Sequence, residues 1–454
     1  MIDEKTKVLI ETIKKLYRRE AKTNIQKIFR RTHIADIAAI LESFEPVDRV
    51  NLFNFEPSLQ KRAQILSYLP KDMQLEIIKD LPREELSRLI SFMDSDDAAD
   101  LLGQLTEEES TRILKSIHRE TSEEVADLMG YPDDSAGGLM TTDYLAMQQN
   151  LIAEEAIKQI QDENNQAKIF FYVYVVDETQ KLVGVVSLKQ LLLSRKNTPL
   201  KDLMNHDVVS VSISTDQQAV AATVERYDFL ALPVVESSNL LVGVITVDDV
   251  IDVIREEAEE ELMAAGQVGY DWDASTKDHF FVRLPWVLLS FFGGIVALGI
   301  IHFFGPLADK TTGPNSEWLI AAFIPLLLAV GGTVGSQVAT VAIGVIRADR
   351  AEVLFKWRYF SKELVVALMF SLVIGFLTFL ACEFLFGYVR YSSVFAVAMG
   401  LQILLAALVG RVIPSLFNRL GLDATIASVP VYIFLADIFA VVVLLSISHV
   451  FELV

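Results

Sequence analysis

One carboxylate stands in the middle of a strongly apolar run: Asp437 in SVPVYIFLADIFAVVVLLSISHV, residues 428–450. An ionised group at the centre of a bilayer helix costs at least ~2.5 kcal/mol. A carboxylate kept there either attracts cations or pairs with a base such as Arg411. A second apolar run holds PLLLAVGGTVGSQ, residues 325–337, in which Gly331, Gly332 and Gly335 lack side chains and Thr333, Ser336 and Gln337 add polar atoms. Small residues so spaced serve close helix packing. With Pro325 they also permit a kink that frees carbonyl oxygens, and Pro430 would loosen the helix of Asp437 in the same way. Two interrupted helices and one intramembrane carboxylate point to an ion path. Glu383 and His302 lie nearer the ends of apolar runs, where snorkelling is enough.

Two acidic clusters lie far upstream. Asp94, Asp96, Asp97 and Asp100 fall within seven residues and could bind a cation or simply cap a helix and face solvent. DDVIDVIREEAEEELMAAGQVG carries Asp248, Asp249, Asp252, Glu256, Glu257, Glu259, Glu260 and Glu261 against a single base, Arg255. Like charges at i,i+4 destabilise a helix. Such a helix is pushed from other acidic surfaces unless a divalent cation neutralises it, or it is an ordinary acidic linker. Hard oxygen ligands suit Mg²⁺, which keeps several waters and uses few carboxylates directly.

The elements that must hold these residues divide the chain of 454 residues in two. Up to residue 282 there are 30 basic and 51 acidic residues; beyond it there are 10 and 9. The first part is acidic, which argues against a nucleic-acid partner and suits one that meets cations. The second part is apolar, and mean hydropathy for the whole chain is +0.37. Stretches of roughly 20 apolar residues span a bilayer, and the pattern predicts five spans: about 284–305, 318–346, 364–388, 393–414 and 425–450. Arg283, the connection with Arg347, Arg350, Lys356, Arg358 and Lys362, and the connection with Arg411 and Arg419 carry the basic excess; the alternate loops hold only Lys310 and Arg390. The positive-inside rule then puts the acidic part in the cytoplasm and the C-terminus outside. The one cysteine, Cys382, excludes an intrachain disulfide, and the charged N-terminus shows no cleaved targeting peptide.

Within the acidic part, LPKDMQLEIIKD, LPREELSRLISF, MDSDDAADLLGQ and LTEEESTRILKS repeat with a period of 12 residues. Each unit opens with Pro, Asp or Thr followed by acids, the signature of one short helix, and stacked units predict a small α-superhelix. DRVNLFNFEPSLQKRAQILSYL extends it upstream. Further on, YVVDETQKLVGVVSLKQLL recurs as PVVESSNLLVGVITVDDVI, offset by 59 residues and aligning Gly184 with Gly243. Each copy reads as strand, turn, strand and a helix capped by Ser187 or Thr246, after an amphipathic helix. This duplication resembles a tandem cystathionine-β-synthase-type (CBS) pair, a regulatory fold that often senses adenine nucleotides. The resemblance makes Asp249 a candidate for holding ribose, with Gln190 at the matching place in the first copy.

Taken together the chain resembles the MgtE family of Mg²⁺ channels over almost its whole length. The resemblance rests on the order of parts and on SAGGLMTTDY (135–144), DFLALPVV, LVGVITVDDVIDV, PLLLAVGGTVGSQ and DATIASVPVYIFLAD, with Asp423 fourteen residues before Asp437. It implies a multidomain membrane protein: a cytoplasmic helical superhelix over 1–138, a CBS pair over 139–247, an acidic connecting helix over 248–276 and a five-helix membrane domain over 277–454. It implies a homodimer in a bacterial-type inner membrane with a pore along the dimer axis and a largely hydrated Mg²⁺ at Asp437. Gly331, Gly332, Thr333, Gly335, Gln337, Val429 and Ile433 would line that pore. Asp216, Asp228, Asp249, Asp252, Glu257, Glu260 and Glu261 match a cytosolic Mg²⁺ sensor that locks the pore shut, and some members bind ATP at the CBS pair.

The departures are specific. Thr333 replaces the family's Asn, and the branched apolar Val429 and Ile433 stand where small or polar residues are usual. They favour, as the alternative to a Mg²⁺ channel, a membrane sensor that does not conduct or a relative selective for Co²⁺ or Mn²⁺. An enzyme is not expected, since no nucleophile–base constellation or phosphate-cradling glycine loop is present and the six histidines are scattered.

Overall fold

A computed structural model describes residues 4–162, 171–269, 275–308, 316–347, 354 and 357–451. Lys310, Arg350 and Lys356 of the charge pattern, and the segment 270–274 of the expected connecting region, lie outside them. The chain forms two compact units, Met1–Arg255 and Glu256–Val454.

The first unit opens with short helices: α1 (Glu4–Arg18), α2 (Lys22–Phe29), α3 (Ile34–Glu42), α4 (Pro46–Phe53), α5 (Leu59–Ser67), α6 (Lys71–Asp80), α7 (Arg83–Ile90), α8 (Ser95–Gly103), α9 (Glu107–Leu114) and α10 (Arg119–Leu128). The 12-residue repeat appears as α6 to α9, whose N-caps are Pro70, Pro82, Asp94 and Thr106. Along much of the array a helix packs on the next but one, as α3 does on α5, α4 on α6, α5 on α7, α7 on α9 and α8 on α10. Buried arginines tie such pairs: Arg49 of α4 to Glu76 of α6, and Arg62 of α5 to Glu85 of α7. Arg49 also donates to the carbonyls of Leu41 and Phe44 at 3.1 and 2.8 Å. A buried guanidinium so supplied with acceptors is tolerated, whereas removing its acid leaves a charge in the core.

The duplicated segment follows: α11 (Ala136–Leu139), β1 (Ala146–Gln148), α12 (Ala153–Asp162), β2 (Tyr172–Val176), β3 (Leu182–Ser187), α13 (Leu188–Leu193), α14 (Leu200–Leu203), β4 (Val211–Ser212), α15 (Gln217–Tyr227), β5 (Ala231–Val235), β6 (Leu241–Thr246) and α16 (Val247–Ala265). The two sheets, β1-β2-β3 and β4-β5-β6, share one plan: a parallel first pair, an antiparallel second pair and a register shift late in the middle strand. The aligned glycines have one explanation. A Cβ on Gly184 would lie 2.3 Å from the sulfur of Met204, and one on Gly243 would lie 2.5 Å from that of Met140.

The second unit takes in the C-terminal end of α16 and the long helices α17 (Thr276–Ala308), α18 (Ser316–Arg347), α19 (Trp357–Phe386), α20 (Val389–Arg419) and α21 (Ala424–Val450). Among the described residues, five helices are long and apolar enough to cross a membrane. The expected interruptions do not occur. α18 runs unbroken through Pro325 and the glycines, and α21 through Pro430. In lipid a freed carbonyl has no water to turn to, so an unbroken helix with one missing bond is the cheaper solution.

Candidate cation path and acidic junction

In the membrane unit the site is built by three helices. A Cβ on Gly335 of α18 would lie 3.1 Å from the Tyr432 ring of α21 and 3.2 Å from the Ala406 carbonyl oxygen of α20. One on Gly410 of α20 would lie 2.4 Å from the Gly335 carbonyl oxygen, so backbone meets backbone there. Tyr432, five residues before Asp437 on the same helix, is buried with its hydroxyl 3.5 Å from the Gly332 carbonyl oxygen. Gly332 itself faces open space. Asp437 is half-buried.

No basic side chain is seen within ion-pair distance of Asp437 among the described residues. The candidate base, Arg411, is engaged elsewhere: it donates to the Leu354 carbonyl and lies over the rings of Tyr359 and Phe360 at 5.2 and 4.9 Å. Glu383 accepts from Ser392 at 3.0 Å.

The other candidate lining residues are dispersed. Thr333 shares a 2.6 Å hydrogen bond with Ser290 of α17 and donates to the Ala329 carbonyl of its own helix at 2.9 Å. Gln337 is buried and reaches the carbonyls of Gln267 and Arg283, each at 3.4 Å. Val429 is half-buried beside the cluster of Ala339, Val409, Ile413 and Tyr432, while Ile433 is 40% exposed. Three features escaped sequence reasoning. Gln402, inside the predicted fourth span, donates to the Ala436 carbonyl at 3.0 Å. Arg283 forms a two-bond ion pair with Glu363, both contacts 3.0 Å, with His279 against the same guanidinium. Glu363 had stood just outside the predicted third span, where an acid raises no alarm. The end of α16 packs on α18: Met263 fills the place of a side chain at Gly344, and Thr340 does so at Gly266.

In the first unit the two acidic clusters meet. Ser95, the first residue of α8, bonds Thr141 Oγ1 at 3.1 Å and accepts from the Thr142 amide at 3.2 Å. Thr141 in turn bridges to Val244 of β6, just before α16. This chain of contacts brings Asp96 and Asp97 of α8 up to Asp249 of α16. Burial, then the charges of Asp249, Asp97 and Asp94, hold the Asp96 carboxyl well above the usual carboxylate range. Burial also pushes Asp249 up to about 7; hydrogen bonding from Thr246 opposes this, and the charges of Asp248 and Asp97 add to it. Asp252 and Asp100, though exposed, are raised by partial desolvation as well, with Arg255 and Lys71 respectively pulling back.

Asp96 Oδ1 is buried with no hydrogen-bond partner among the described residues. A buried acceptor so placed calls for a cation, a proton or a water. Three His, Cys, Asp or Glu side chains do not converge into a ready-made cage among the described residues. A cation that keeps its waters needs only one or two direct carboxylates. Asp249 is also tied to its own helix start, accepting from Thr246 Oγ1 at 2.6 Å. Gln190 does the same for Ser187 at 2.9 Å, so the acid and amide of the two copies share a capping role. Asp216 caps α15 through the Gln218 amide at 2.9 Å, and Asp228 ends that helix at φ +53, exposed. Glu257 is half-buried, and Glu260 and Glu261 are exposed on the later turns of α16.

Comparison with known proteins covers both units. Residues 32–134 match the MgtE intracellular N domain, 136–196 and 200–256 the CBS domain, and 324–447 the divalent cation transporter family of MgtE. The magnesium transporter MgtE of Thermus thermophilus is 33% identical over 446 residues, 94% of this chain and 97% of its own. The magnesium transporter MgtE of Enterococcus faecalis is 32% identical, over 99% of this chain and 98% of its own. A crystal structure of the cytosolic domain of the Mg²⁺ channel MgtE in complex with ATP is 32% identical, with a TM-score of 0.51 over 54% of this chain and 99% of that one.

Proposed function

The chain belongs to the MgtE family of magnesium transporters, and from that premise we propose that it is a Mg²⁺ channel closed by cytosolic Mg²⁺. The observation that carries the reading is Asp437: a carboxylate in the middle of an unbroken apolar helix, half-buried, with no base beside it among the described residues. Such a group is stable where water and cations reach it. The channel is a homodimer of a bacterial-type inner membrane, with the acidic part cytoplasmic and the C-terminus outside. Permeation is passive, and Asp437 concentrates a largely hydrated cation.

The acidic junction supplies the control. Asp96 and Asp249 would hold a hydrated Mg²⁺, with Asp97, Asp100 and Asp252 around them, and Glu257, Glu260 and Glu261 extend the same acidic helix. The charge supplied there offsets the repulsion between carboxylates. Bare carboxylates push α8 and α16 apart. The end of α16 is keyed into α18 through Met263 and Gly344, so displacement of α16 reaches the helix that carries Gly331, Gly332 and Gly335. ATP binding at the CBS pair belongs to the same reading, supported by the relative solved with ATP.

The exposed Ile433, one turn before Asp437, favours a second reading: a path too dry for hydrated Mg²⁺, in a sensor or a channel for another divalent ion. Flux into liposomes holding the purified protein decides between them. Mg²⁺ flux that Asp437→Asn loses, by about tenfold or more given the cost of one unpaired charge interaction, supports the channel. Absence of Mg²⁺, Mn²⁺ and Co²⁺ flux in the unmodified protein, with Mg²⁺-dependent protection from protease, supports the sensor.

A further inference from the structure

Gln402 sits in mid-α20 and is 1% exposed. Its Nε2 donates to the Ala436 carbonyl oxygen at 3.0 Å, one residue before Asp437. The orientation of the amide is forced, because a carbonyl oxygen cannot donate and the nitrogen must therefore face Ala436. Oε1 consequently points away from that bond. It is buried and has no hydrogen-bond partner among the described residues. The side chain also rests on α18: a Cβ at Gly331 would lie 2.7 Å from Nε2 and 3.1 Å from Cγ. Gly331 is thus small in order to admit this amide, and α18, α20 and α21 all meet on it.

The bond is not needed to satisfy Ala436. In an unbroken helix that carbonyl already serves the helix's own ladder. Nor does it serve stability best, since an apolar side chain of equal size would fill the space and leave no acceptor stranded. We infer that Gln402 is a positioning residue for Asp437: it ties the turn that carries the carboxylate to α20 and so sets the direction in which the carboxylate faces the passing cation. The inference rests on the reading of Asp437 as the cation-attracting group.

The test uses full-length protein in liposomes, with Mg²⁺ flux measured against Mg²⁺ concentration and against pH. Unmodified protein is compared with Asp437→Asn, Gln402→Met and Gln402→Glu. Gln402→Met keeps its melting temperature. Its apparent Mg²⁺ affinity falls roughly five- to tenfold, the scale of one oriented hydrogen bond, while maximal flux changes less. A buried Glu is neutral at low pH and can then donate to Ala436, so Gln402→Glu matches the unmodified protein there and falls to the Met level as pH rises. A Met variant with unaltered affinity, whether or not it is less stable, overturns the positioning role. So does a Glu variant whose pH profile parallels that of the unmodified protein, and this arm decides the matter if the Met variant does not fold. Flux by Asp437→Asn equal to that of the unmodified protein would instead remove the proposed function beneath it.

Discussion

Asp96 and Asp249 are acids that the fold makes hard to ionise. Burial comes first, and each then feels other carboxylates. The sign of the consequence follows from proton counting. An unfolded Asp titrates near about 3.9, and Asp249 in the fold titrates at about 7. Between those values the folded state binds more protons than the unfolded one, so stability falls as pH rises through the window and is fullest below it. Without divalent ions, the melting temperature of the detergent-solubilised protein is expected to drop from about pH 5 to about pH 8. Added Mg²⁺ should restore more at the higher pH, where the carboxylates are bare. Asp249→Asn should flatten the pH dependence and shrink the Mg²⁺ effect. Parallel melting curves for the two proteins across that range would show that the junction does not titrate.

Helix contacts in the membrane unit make a sharper distinction between glycines than their spacing does. Gly410 and Gly335 bring two backbones together, and a methyl at Gly410 would collide with a carbonyl oxygen that cannot move alone. A methyl at Gly332, three residues before Gly335 on the same helix, would meet nothing. Gly410→Ala should therefore lower the yield of monodisperse protein and its melting temperature. Gly332→Ala should leave both unchanged, and any effect it has should appear in flux alone. Size-exclusion profiles and thermal melts of the two variants check this, and equal tolerance at both positions would mean that α18 and α20 are not packed as described. The same reasoning accounts for Arg283. Sequence position suggested only a topological charge, yet its guanidinium is spent on Glu363 and His279 between α17 and α19. Removing one partner of such a pair costs about 3–5 kcal/mol.

For the molecule as a whole, charge is segregated: the part up to residue 282 carries 51 acids against 30 bases, and the part beyond it is almost balanced. On the proposed orientation, with the acidic part in the cytoplasm, this segregation would let cytosolic cations act on the acidic part without acting on the path itself. Changing Glu257, Glu260 and Glu261 together to Gln weakens the acidic field of α16 and should relieve closure by Mg²⁺, leaving substantial flux at concentrations that silence the unmodified channel. Inhibition at unchanged Mg²⁺ would locate the sensor elsewhere. Asp216 and Asp228, by contrast, begin and end α15 in this structure. Their replacement tests helix capping as much as cation binding.

Local periodicity alone established much of this protein. The 12-residue helical repeat, the 59-residue duplication and the five apolar runs each follow from patterns within one element or its neighbour, where the spacing of side chains already dictates which face is buried. Asp437 was legible for the same reason, since a carboxylate in an apolar run is costly wherever the run packs. What lies between distant segments was not legible. Ser95 and Thr141 join α8 to the CBS pair and bring Asp96 to Asp249, yet nothing in either local stretch announces the other. Nothing in the fourth apolar run singles out Gln402, and nothing near Thr333 announces its hydroxyl bond to Ser290 of another helix. The interruptions expected at Pro325 and Pro430 are absent because lipid penalises every freed carbonyl, so the helix continues through each proline. Pairings across space are set by how the elements pack, and only the folded chain decides them.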